Sequence, residues 1–357
     1  MKAIDYAVLA IETMMRKYNG ADLPPKNVFF YHQGVFLSGV LKIYELTNDE
    51  RFFNYAKDWI DSVFDGEGKA KGIEYGGLDY TQPGILLYPI YDKTHNEKYK
   101  KYMDYVIGEY TACPRCKNGG LYHRTNLIGE MWLDGIYMIG PFVAEYGKRF
   151  SHPEYIHDIA REIKLMREVT RDDETGLWYH AWDESHMAPW ADKITGHSHE
   201  FWGRSIAWVP VGILDVLDEM DSGKEKDEIT DILVDLLKSV GKYQSEDGRW
   251  YQVIDKGSSE GNWLENSCSS LFAAAMAKAV TKGILGREYA EKAIKAYKGV
   301  IKSLTLTENG DIEIGAVCIG TSVGDYDFYI HRPTSVNDLH GVGAFLLMCA
   351  EISKLSL

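Results

Sequence analysis

Basic residues are in the minority: 39 Lys and Arg face 53 Asp and Glu, for a formal net charge of −14. No basic stripe interrupts that balance, which argues against a nucleic-acid surface. A small anionic ligand is still allowed, because exposed charges are screened beyond roughly 8 Å at physiological salt. Long apolar runs are missing too. None approaches the roughly 20 residues that span a membrane, so no membrane partner is expected. The opening stretch, MKAIDYAVLAIETMMRKYNG, carries Asp5, Glu12 and Arg16 within its apolar pattern, and no small-residue cleavage site follows. It reads as an amphipathic helix, not a signal peptide.

Cysteine is scarce and odd in number, five in 357 residues. A full disulfide framework is therefore not expected, and a reducing cytoplasm is the expected compartment. Cys113 and Cys116 form a lone C-x-x-C with no second pair for zinc and no thioredoxin-like pattern around it, so they read as loop thiols. No G-x-S-x-G occurs, and no cysteine has a persuasive histidine partner in its sequence context. No Gly-rich loop follows a strand to open a helix, so no phosphate or dinucleotide cofactor is expected. His197 and His199 make an H-x-H without a clear third and fourth ligand, which is weak for zinc. Neither metal nor cofactor is expected.

Aromatics, by contrast, are plentiful, at 13% with 24 Tyr and 9 Trp. Carbohydrate sites use such flat, polar-tipped surface, although a wide core explains part of it. Helical periodicity recurs along the chain and predicts helices over 3–17, 29–46, 50–64, 80–94, 97–110, 126–147, 153–169, 201–219, 226–242, 261–281, 287–303 and 336–354. They come in pairs. In GVFLSGVLKIYELTNDERFFNYAKDWIDSVF the first helix is apolar with few charges, and the second has one wet face. Six such hairpins predict an all-α (α/α)6 barrel, with dry helices inside and amphipathic ones outside. Irregular repeat lengths disfavour an open solenoid. The long connections 65–79, 111–125, 170–200, 243–260 and 304–335 would share one mouth, with short strands in GLWYHAW and GRWYQVI. No Pro/Gly/Ser linker divides the chain, so residues 1–357 are expected to form one domain.

Ionisable and aromatic residues gather in those loops and at the helix starts beside them. Asp79 precedes one helix and is equally placed to be its N-cap. His123 and Arg124 follow in GGLYHRTN, and Trp132 and Asp134 in MWLDG. Asp134, read as mid-helix, is either a buried salt-bridge partner, with Arg124 the candidate, or an acid in a dry pocket with a raised pKa. Trp178, His180 and Asp183 come next, then His197, His199, Trp202, Arg204 and Trp208. Trp132, Trp202 and Trp208, each taken singly, read as core before ligand platform. Two carboxylates, histidines, an arginine and aromatics around one cup suit sugar chemistry: carboxylates for acid–base work, rings for stacking, Arg and His for a carboxylate.

These segments carry a resemblance. GGLYHRTNLIGEMWLDGIYMIGPFVAEYG, GLWYHAWD, EFWGRSIAWVPVGILDVL, RWYQVID, NWLENSCSSLFAAAMAKAV and RPTSVNDLHGVGAFLLMCAE resemble, in order, glycoside hydrolase family 105, the unsaturated rhamnogalacturonyl hydrolases, relatives of the unsaturated glucuronyl hydrolases. The likeness runs from about residue 28 onward and implies the (α/α)6 fold. It implies a hydrolase that releases a terminal 4,5-unsaturated uronic acid from lyase-generated oligosaccharides, so a small anionic oligosaccharide is the expected partner. It also implies Asp134 as catalytic acid, Asp79 as second aspartate, and His123, Arg124, Trp132, His180, Trp202 and Arg204 as substrate-binding residues. Where the family commonly continues Arg-Gly-Asn/Asp-Gly-Trp, this chain has Arg204-Ser205-Ile206-Ala207-Trp208, a departure beside the leaving-sugar subsite. A sugar 2-epimerase using His180, His197, His199 and His340, and a non-catalytic oligosaccharide-binding toroid, are the alternatives.

Overall fold

The computed structural model describes residues 1–73 and 76–355. Thirteen helices occur among them: α1 (Ala3–Lys17), α2 (Tyr31–Thr47), α3 (Glu50–Val63), α4 (Leu87–Thr94), α5 (Glu97–Thr111), α6 (Asp134–Arg149), α7 (Pro153–Thr170), α8 (Gly203–Glu219), α9 (Lys224–Gly241), α10 (Asn266–Thr281), α11 (Arg287–Lys302), α12 (Tyr326–Ile330) and α13 (Leu339–Lys354). The inner ring is α2, α4 with the 3-10 turn Gln82–Leu86 ahead of it, α6, α8, α10 and α13, each packed on the next, and α13 closes back onto α2. The amphipathic partners lie outside, each against its own inner helix. This is the (α/α)6 barrel. No helix among the described residues is long and apolar enough to cross a membrane.

The inner helices can close a ring because they are apolar nearly all round and small where they cross. Helix α8 buries every residue from Gly203 to Leu214. At the closing seam a Cβ on Gly343 of α13 would lie 2.5 Å from the Val35 carbonyl carbon of α2. Any larger residue there would force the two helices apart. One apolar cluster runs from Ala3 to Ala350 and includes Trp59, Trp178, Trp208 and Trp250, all nearly fully buried. Each buried aromatic contributes on the order of 2–3 kcal/mol.

Four predicted helix starts move. The 80–94 helix becomes the 3-10 turns Leu78–Tyr80 and Gln82–Leu86, and regular α-helix begins only at Leu87. Pro83 enters without an N–H, and Gly84 packs against Phe142, where a Cβ would come within 2.7 Å. Two of the others, α6 and α10, shift because residues ahead of the helix pair as strands, and α13 starts late because Asn337 takes a left-handed φ of 55°. Strand β1 (Glu130–Trp132) joins β2 (Ala181–Asp183); β3 (Trp250–Tyr251) joins β4 (Leu264–Glu265). The remaining ribbons are β5 (Thr305–Leu306) with β6 (Ile312–Glu313) and β7 (Val317–Cys318) with β8 (Thr334–Ser335). So α6 starts at Asp134 and α10 at Asn266, each just beyond a strand, and α13 at Leu339. Asp134 is the first residue of its helix, not a mid-helix one. Glu74 and Tyr75 of the 65–79 connection, with Ser356 and Leu357, lie outside the described residues.

Candidate active site

The inner helices run parallel, so their first turns meet at one end, under the loops. A cavity of about 350 Å³ opens there, lined by Phe30, Tyr31, His32, Asp79, His123, Arg124, Trp132, Asp134, Gly320, Thr321, Ser322 and Arg332. Two loop strands build its centre. Pairing of Trp132 with Ala181 sets His180 beside Leu133, whose N–H donates to the His180 carbonyl at 3.0 Å. The His180 ring thereby reaches Asp134, with Nε2 3.2 Å from Oδ2.

That contact has a definite polarity. The Asp134 carboxylate oxygen only accepts, so His180 Nε2 supplies the hydrogen of that contact, and the Tyr329 hydroxyl donates to Nδ1 at 2.7 Å while accepting from the Gly324 N–H at 3.2 Å. With Nδ1 accepting, a neutral His180 carries its hydrogen on Nε2 and donates it to Asp134. Burial pushes the Asp134 carboxyl up. The hydrogen bond from His180 and the positive charge of Arg204 work against that, and the carboxyl is held below the ordinary aspartate range. Its place in the first turn of α6 works in the same direction. The expected raised pKa is therefore corrected: in the free protein Asp134 is a carboxylate.

Asp79 forms the opposing group. Arg124 Nη2 donates to Asp79 Oδ2 at 2.5 Å, and His123 Nε2 stands 3.6 Å from Oδ1. Asp79 lies within a 3-10 turn and pairs with Arg124, so it is no N-cap, and Asp134 does not pair with Arg124. Gly77, at φ +147°, makes the strap possible, since a Cβ there would sit 2.9 Å from Arg124 Cγ. His123 stacks on Trp132 with ring centres 4.4 Å apart and 8° between planes. Burial pushes the His123 imidazole down, so it stacks as a neutral ring. The Nε of Arg124 and of Arg332 are buried without a hydrogen-bond partner.

Thus Asp134, Asp79, His123, Arg124 and Trp132 come together on the cavity, while His180, Trp202 and Arg204 lie one layer behind it. Arg204 is 1% exposed; it donates to the carbonyls of Cys318 at 2.6 Å and Ile319 at 2.7 Å, with Glu265 at 3.9 Å. Trp202 covers its guanidinium at 4.5 Å and stacks on Tyr329 at 5.7 Å. Ser205 and Ile206 are wholly buried in α8, outside that lining. His197 stacks on Tyr179, and the H-x-H step joins no ligand cluster among the described residues. Cys113 and Cys116 are free, and burial pushes each thiol up to about 12. Tyr329, Arg332, Thr321, Ser322, Tyr31 and His32 were not anticipated. Arg332 does fall within the RPTSVNDLHGVGAFLL segment already singled out.

Comparison with known proteins decides the family. The profile described as Glycosyl Hydrolase Family 88 matches residues 6–356. The chain belongs to glycosyl hydrolase family 88. Among solved structures it is similar to a family 105 glycoside hydrolase of C. acetobutylicum ATCC 824, with a TM-score of 0.92 and 30% identity over 98% of this chain and 99% of that one. It shares its fold with the unsaturated glucuronyl hydrolase of Bacillus sp. GL1, with a TM-score of 0.73 and 14% identity over 98% of this chain and 95% of that one. In sequence it is similar to the unsaturated rhamnogalacturonyl hydrolase YesR of Bacillus subtilis (strain 168), 26% identical over 330 residues, covering 90% of this chain and 88% of that protein. A family 88 member is a glycosidase with an oligosaccharide substrate, and the resemblance read from the motifs holds.

Proposed function

We propose that this family 88 chain releases a terminal 4,5-unsaturated uronic acid from lyase-generated oligosaccharides by hydrating the C4=C5 vinyl ether. The observation that carries this reading is Asp134: a half-buried carboxylate on the cavity, oriented through Oδ2 by the His180 ring, which Tyr329 holds from its other side. Oδ1 is left to hold a proton. The incoming sugar brings its own carboxylate and displaces water, and both effects push the Asp134 carboxyl up. Once protonated, it delivers the proton to C4 while positive charge develops at C5 and the ring oxygen. Water adds at C5 and returns a proton to Asp134, with Asp79 positioning that water. The hemiketal opens and the aglycone leaves.

Arg124 and Arg332 supply the cationic side of the cavity for the uronate, and His123 on Trp132 supplies a flat face. Arg204 acts from behind, by fixing the 318–319 backbone and adding positive potential near Asp134. A rhamnogalacturonan-type aglycone is favoured by the likeness to YesR. The continuous core supports one catalytic domain, and five free cysteines suit the cytoplasm. The test is incubation with a panel of lyase-generated oligosaccharides, following loss of the double bond's ultraviolet absorbance. Turnover in oxygen-18 water should label C5, and heavy water should place deuterium at C4. Label on the anomeric carbon would mean an ordinary glycosidase displacement instead.

A further inference from the structure

Beside the acids of the cavity stands a second constellation that the hydration chemistry does not use. His32 is the second residue of α2, Asp338 is the residue before α13, and His340 is the second residue of α13. The seam between α2 and α13 brings them together. His32 Nδ1 lies 3.3 Å, and His340 Nδ1 2.7 Å, from Asp338 Oδ1. One ligand atom from each of the three residues falls within 4.8 Å of the others.

Ordinary hydrogen bonding does not account for this arrangement. His340 Nε2 lies 3.1 Å from the Cys318 carbonyl, which only accepts, so Nε2 carries the hydrogen. In the neutral ring Nδ1 is then a bare lone pair beside a carboxylate oxygen. Neither contact to Asp338 Oδ1 has hydrogen-bond geometry; that oxygen and His340 Nδ1 are both buried without a partner. His340 is 0% exposed, so water does not satisfy it. Asp338 also declines the usual task of its position. Asp49, Asn96, Glu265 and Asp325 each accept a backbone N–H at the start of their helices, whereas Asp338 makes no such bond. Its carboxylate is turned to the two imidazoles instead.

We propose that His32, Asp338 and His340 form a binding site for a divalent transition cation of the zinc class. Two imidazole nitrogens and one carboxylate oxygen are the donor set such ions take while keeping a position open. With bonds of about 2.0–2.2 Å, tetrahedral ligands stand roughly 3.4 Å apart. The 3.3 Å separation already meets this, and the 2.7 Å one must open by roughly 0.7 Å. Arg204 donates to the same Cys318 carbonyl, but Glu265 at 3.9 Å offsets its charge. His32 lines the sugar cavity, so the open position would be available to a sugar oxygen.

The site is independent of the hydrolase reading, and its test needs no substrate. The protein, stripped by dialysis against a chelator, is titrated with Co²⁺ and followed by visible absorption and calorimetry. One equivalent should bind, with d–d bands of a low-symmetry N/O site, and Zn²⁺ should displace it. His32→Ala, at the cavity edge, should lose the bands while circular dichroism stays unchanged. Asp338→Asn should lose them too, and His157→Ala, at an exposed histidine elsewhere, should keep them. Should the stripped wild type give no bands at one equivalent, or His32→Ala keep them, the trio is a hydrogen-bonded or ion-paired cluster only and the site does not exist.

Discussion

At the mouth of the barrel, Asp79, Asp134 and Asp338 stand beside the first turns of inner helices. At the opposite end, Glu145, Asp215 and Asp218 stand beside the last turns. That end has its own cavity, of about 290 Å³, lined by Lys42, Asp215, Asp218, Lys278, Lys282 and Lys354 among others. Both cavities hold acids, but their partners differ. At the far end acids and cations neutralise one another: Lys278 pairs with Asp215 and Asp218, Lys282 with Asp218, and Arg149 with Glu145 and Asp92. Converging helix C-termini favour that supply of cations. At the mouth, converging N-termini favour anions, and the acids are braced by histidines and by arginines with N–H groups to spare. At the far end burial outweighs Arg149 and pushes the half-buried Glu145 up to about 7. Asp134 is just as deeply enclosed and is held down. Burial alone therefore does not decide whether a carboxyl is pushed up or held down; the groups facing it do.

The largest expected effect separates the two ends by function. Asp134→Asn should fold and bind normally yet lose about 10²- to 10⁴-fold in turnover, the range for a missing general acid, whereas Asp215→Asn should turn over close to wild type. Equal losses in the ultraviolet assay would mean that neither end is special. Arg204→Leu comes next. It strands Glu265 and two carbonyls in the interior, so denaturant unfolding should reveal a loss of about 3–5 kcal/mol, with kcat/KM falling alongside. A raised KM at unchanged stability would instead make Arg204 a direct ligand of the uronate.

Glu145→Gln sharpens the electrostatic half of the comparison. The folded value of Glu145 lies above the unfolded carboxylate value. The carboxyl is therefore harmless to stability below about 4.5 and costs progressively more as pH rises through about 7. The full cost is on the order of 3 kcal/mol. The variant's melting temperature should exceed that of wild type at about pH 8 and match it at about pH 4, with the pH profile of turnover unmoved. A shifted activity profile would couple the two ends. Smallest of all should be Cys113→Ser. A thiol that burial keeps protonated does no chemistry at neutral pH, so turnover should be unchanged and a thiol reagent should label native protein slowly.

Much of this was legible from one chain. Alternation of dry and amphipathic helices is a property of burial, and burial is what a barrel of two rings imposes, so the ring order could be read directly. Helix starts were less legible. Residues 126–133 and 261–265 keep an apolar rhythm, but Glu130–Trp132 and Leu264–Glu265 within them are claimed by strand partners distant in sequence, and local periodicity carries no trace of a partner. The site divided in the same way. Residue types in loops before inner helices pointed to Asp79, His123, Arg124, Trp132 and Asp134. Sequence spacing could not tell whether His180, Trp202 and Arg204 face the cavity or the layer behind it. Tyr329 escaped notice because α12 is a five-residue helix, too short to show a period.

The seam between α2 and α13 also sets a timetable. A ribosome adding roughly 5–20 residues per second needs on the order of half a minute to pass from one helix to the other. Through that interval Val35, Phe36 and Gly39 present an apolar flank with no partner, and the nascent molecule is an unclosed arc. His32 has been made long before Asp338 and His340 exist. The cavity is accordingly among the last features to appear, and for most of its synthesis the chain should behave as a client for whatever shields exposed helices in the cell.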